Sequence, residues 1–110
     1  MTAADLDQSA KNDSAPPEGL SDCLRALWLA RAKRWDESHD LTSDLPDPDG
    51  AWIHAHLHRE EGDLGNAGYW YARARRDAPS LPVSIDQEWW QLAEHFSTQE
   101  GSDRAAPPSK

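Results

Sequence analysis

Residues 46–63, PDPDGAWIHAHLHREEGD, are bracketed by residues that cannot continue regular structure. Pro46 and Pro48 lack a backbone N–H and stop whatever precedes them. Asp47 is placed to cap a new helix with Pro48 at its first position, where the missing N–H costs nothing. At the far end Gly62 supplies the left-handed residue that closes a helix, and Asp63 can cap the next. The interval therefore holds one element of defined length. As a strand it would put His54, His56 and His58 on one face, an arrangement suited to a metal. The Asp-Pro start, the Gly-Asp stop and the absence of a partner strand favour the helix. On a helix, residues two apart point to nearly opposite sides, so His54 and His58 form a pair and His56 stands apart.

Similar punctuation divides the rest of the middle. Ser21 can cap a helix carrying Leu24, Leu27, Trp28 and Arg31 to about Arg34. A second starts near Trp35 or Asp36, with Ser38, Leu41 and Leu45 on one side, and ends at Pro46. After Asp63, Leu64, Ala67, Gly68, Tyr71, Ala74 and Arg75 share a face until Pro79 and Pro82. Ser84 and Gln87 form a capping-box pattern for a last helix with Ile85, Trp89, Leu92, Ala93 and Phe96 at helical spacing. The expectation is an all-α fold of about five helices over residues 20–99. Two antiparallel, repeat-like hairpins are followed by an amphipathic capping helix. Residues 1–19 and 100–110 are polar, small and proline-bearing, and are expected to be disordered tails.

A chain of 110 residues is one domain at most, and six tryptophans spread from Trp28 to Trp90 point to one shared core. The net charge of −9 argues against nucleic acid and against anionic membranes as partners. Cys23 is the single cysteine, so no internal disulfide forms. No apolar run suits a secretory signal or a membrane span, and the expected location is the cytoplasm.

Residues 51–79 resemble a tetratricopeptide repeat and its Sel1-like relative, through Ala55, Gly62-Asp63, Ala67, Tyr71, Ala74 and Pro79. "NAGYWYARA" is similar to the second helix of Sel1-like units, and the longer stretch AWIHAHLHREEGDLGNAGYWYARA resembles a small bacterial protein family. The resemblance covers about a quarter of the chain. It implies a hairpin fold and a concave, peptide-holding groove on the His56 side of the first helix, and nothing about chemistry. His54 and His58 depart from the repeat pattern, which has an apolar residue and an aromatic there.

Two uses of these residues follow. The first is a protein-binding module without catalytic activity or cofactor, presenting Trp52, His56 and Arg59, with Tyr69 and Arg73 on the neighbouring helix, to a protein or peptide. Self-association into a homo-oligomer or a larger helical array is a variant of this reading. The alternative is a metal site in which His54, His58 and Glu61 offer two nitrogens and a carboxylate to zinc or another transition ion. Arg73, Arg75 and Arg76 suit a helix C-terminus. DLPDPDG lacks the spacing of a calcium loop, and no nucleophile motif or phosphate loop is present.

Overall fold

The computed structural model describes residues 1–80 and 82–105, with side chains to Gln99. Among the described residues six helices follow one another: α1 (Ala3–Asn12), α2 (Asp22–Arg31), α3 (Trp35–Ser43), α4 (Asp49–Glu60), α5 (Leu64–Arg73) and α6 (Ile85–Ala105). No strand occurs among the described residues, and no described helix is long and apolar enough to cross a membrane.

Local chemistry sets most of the boundaries. Ser21 Oγ accepts from Leu24 N at the start of α2, and Asp63 Oδ1 accepts from Asn66 N at the start of α5. Ser84 and Gln87 exchange both bonds of a capping box before α6. Helices α2, α4 and α5 all end with a residue at positive φ: Lys33 at 66°, Gly62 at 88° and Arg75 at 59°. In each case the next residue's N–H reaches back to a carbonyl five positions earlier. Asp47 differs from the expectation. The α4 cap is Pro48, with no side-chain bond, and the Asp47 carboxylate pairs instead with Arg73 at 2.6 Å. Gly50, at the start of α4, meets the Leu45 backbone so closely that a Cβ would lie 2.6 Å from its carbonyl oxygen.

The expected disordered segment over 1–19 is corrected by α1. Thr2 and Asp5 form a capping box, and Ala3, Leu6 and Ala10 face the core, with Leu6 fully buried. Ser9 Oγ accepts the indole N–H of buried Trp28, and Asp7 pairs with Arg31 at 2.7 Å. Three apolar residues, two of them alanines, are too few to raise the segment's average hydrophobicity. Their spacing still fits the groove beside α2 and α6. The C-terminal expectation over 100–110 is corrected in part, because α6 continues to Ala105; residues 106–110 lie outside the described residues.

Helix α2 packs on α3, α4 on α5, and α6 lies across α2 and α4 with α1 beside it. The core runs through Leu27, Trp28, Ile53, Leu57, Trp89 and Leu92. Three indole N–H groups at the core find acceptors: Trp28 on Ser9, Trp89 on the Leu27 carbonyl and Trp35 on the Leu57 carbonyl.

Candidate functional site

Helix α4 is buried along almost its whole length, from Gly50 to His58. Its two polar faces do different chemistry. On one, His54 and His58 stand a turn apart with their rings stacked, centroids 5.1 Å apart and planes 14° from parallel. His39 of α3 crosses them edge-on, and its Nε2 lies 2.9 Å from His54 Nε2. One ligand nitrogen from each of the three falls within 4.8 Å of the others. Trp35 stacks on His39, and Trp70 of α5 stacks on His54 at 3.9 Å. The guanidinium of Arg73 sits 4.8 Å from the Trp70 ring.

Burial holds the His54 imidazole neutral down to about pH 4, reinforced by His39, His58 and Arg73 and opposed by Asp47. Glu61 lies outside the three-nitrogen group and forms with His58 and Asp63 a second group whose ligand atoms also fall within 4.8 Å of one another. Its carboxylate lies 2.6 Å from His58 Nδ1, which leaves Nε2 of His58 as the free ligand atom. Sequence spacing finds the His54–His58 pair but misses His39, whose place depends on how α3 crosses α4. The local signal is Trp35-x-x-x-His39, which puts an indole and an imidazole on one face of α3.

The opposite face carries His56, fully buried against α6. Its Nδ1 lies 2.8 Å from Glu88 Oε1, Arg59 Nη1 reaches the same oxygen at 3.2 Å, and the Tyr71 hydroxyl donates a short bond to Oε2. Burial pushes the Glu88 carboxyl up, but these three donors more than offset it and hold it below the ordinary glutamate range. Burial and the bond to Glu88 raise Tyr71. Arg59 also ties down the start of α6 through the Val83 and Ser84 carbonyls.

The predicted groove of Trp52, His56 and Arg59 is therefore covered by the chain's own α6. Trp52 packs against His95 and Phe96, with the Arg76 guanidinium 3.4 Å from its ring centroid. Sequence reading does not single out Glu88; its burial depends on how α6 crosses α4 and α5.

Of the five predicted partner-contact residues, Tyr69 and Arg73 are open. Tyr69 is 56% exposed and accepts from Arg73 Nη1 at 3.3 Å. Further round α5, Leu64 (69% exposed) and Ile85 of α6 flank a cleft of about 340 Å³ floored by Ala67 and Tyr71.

No protein-family model, curated protein sequence or solved structure matches this chain.

Proposed function

We propose that the protein is a small helical-repeat-like binding module that takes a protein segment on the outer face of α5. The reading rests on one observation. Leu64, Gly65, Gly68, Tyr69 and Ala72 are all exposed and none is charged, in a chain of which 28% is charged. An uncharged exposed face on so acidic a protein is the surface that apolar contact would use. Gly65 and Gly68 leave open space where side chains would stand, so a partner backbone can come close.

In a repeat-like array made of the α2–α3 and α4–α5 pairs, α5 is the edge that a further hairpin would cover. Tyr69 serves as the anchor, with a large area ordered at small entropic cost. Arg73, held by Asp47, sets the polar rim. The single cysteine and acidic charge fit a cytoplasmic setting, with no role for nucleic acid or membrane. The groove expected at Trp52, His56 and Arg59 has no part in this reading, because α6 fills it.

A photo-crosslinking side chain at position 69, compared with one at the exposed Glu37 of α3, tests the surface in the source cells. A discrete adduct from position 69 that disappears with Leu64→Arg supports the reading. Equal adducts from both positions, or none from position 69, overturn it.

A further inference from the structure

The imidazoles of His39, His54 and His58 converge from two helices on one small volume, walled by Trp35 and Trp70. No carboxylate belongs to this donor set, and neutral imidazole is the form that coordinates a metal. Between the Nε2 atoms of His39 and His54 there is room for only one proton, so one nitrogen already presents a lone pair to the other. Moving that proton to the Nδ1 side turns both nitrogens into ligands with no change in net charge. A zinc ion at 2.0–2.1 Å from each would set its nitrogens about 3.3 Å apart. The 2.9 Å separation needs to open by only about 0.4 Å to meet that value.

Glu61 completes the arrangement from outside. By accepting the Nδ1 proton of His58 it fixes the tautomer whose Nε2 lone pair is free, the usual office of a carboxylate behind a metal-bound histidine.

We propose that His39, His54 and His58 bind one divalent late first-row transition ion, zinc foremost, with Glu61 orienting His58 and the fourth position left to solvent. Three imidazole nitrogens suit zinc, copper or nickel and disfavour magnesium and calcium, which need oxygen ligands. The ion would tie α3 to α4 at a point 15 residues apart in sequence. The site borders α5 through Trp70, but it does not rest on the partner-binding reading.

Untagged protein, stripped with chelator, reloaded with zinc chloride and desalted, should retain about one equivalent of zinc by elemental analysis. Cobalt(II) should give the strong visible bands of a four-coordinate site. His39→Ala and His54→Gln should each lose the bound ion. Glu61→Gln should keep the stoichiometry with about 10- to 100-fold weaker affinity. Magnesium should not compete. Far-UV circular dichroism confirms that each variant is helical, and the half-buried His39 makes its alanine variant the safest for folding. Metal-free wild-type protein after reloading, or one equivalent retained undiminished in the helical His39→Ala variant, overturns the proposal.

Discussion

The two histidine faces of α4 are built from alternating residues of one helix, yet they reach opposite solutions. His56 faces a buried carboxylate that collects bonds from three donors, and the result is a closed lock between α4, α5 and α6. His54 and His58 face another imidazole, with the nearest carboxylate outside the set. The first face spends its charges on one another. The second leaves three imidazole nitrogens within 4.8 Å of one another. Identical residue types two positions apart thus anchor a helix on one side and form an imidazole cluster on the other, and the partner helix decides which.

The largest effect should come from opening the lock. Glu88→Ala strands Arg59, His56 and the Tyr71 hydroxyl in a buried site, and urea unfolding should show a loss of about 3–5 kcal/mol. Tyr71→Phe removes one donor to the carboxylate and should cost about 2 kcal/mol. If both variants stay within 0.5 kcal/mol of wild type, the α6 contact is not a lock.

Acid should separate the two faces by window. His54 binds its proton less readily when folded, so the unfolded chain takes up protons first. Stability should then fall as pH drops from about 6.5 toward 4, by roughly 1–2 kcal/mol once solvent screening is allowed for. His54→Phe, which keeps the stack on Trp70, should flatten that stretch of the curve. Glu88 has the depressed carboxyl, so its contribution is present above about pH 4.3 and is lost as pH falls through its lower folded value. Glu88→Gln should remove that later loss and leave the earlier one. A single transition abolished equally by both variants would mean that the faces are one coupled unit.

The smallest stability effect belongs to His39→Ala. The half-buried ring makes no bond beyond its imidazole contact and the stack on Trp35, and its loss should cost about 1 kcal/mol or less. A loss above 3 kcal/mol would assign the cluster to packing.

Much of this architecture is legible in the chain. Ser21, Gly62, Asp63, Ser84 and Gln87 announce helix ends through chemistry confined to a few neighbouring residues, and they act where their types predict. The pairing of His54 with His58 follows from helical period alone. What escapes sequence reading depends on how helices cross. His39 joins the pair only because α3 passes over α4, and Glu88 is buried only because α6 crosses the face that a repeat would leave open. Helix α1 is missed for another reason. Its apolar residues are few, Leu6 between two alanines, and their spacing matters only because they pack in one cluster with Trp28 and its neighbours. Asp47 shows the converse, a plausible cap drawn off by a stronger partner in Arg73.

The division of labour along α4 can be read in one experiment: the shift in unfolding free energy produced by zinc in wild type, His39→Ala and Glu88→Gln. Zinc at a hundredfold excess over its dissociation constant should stabilise wild type and Glu88→Gln alike, by about 2.7 kcal/mol, and leave His39→Ala unmoved. A zinc shift that survives in His39→Ala, or that vanishes in Glu88→Gln, would contradict the account.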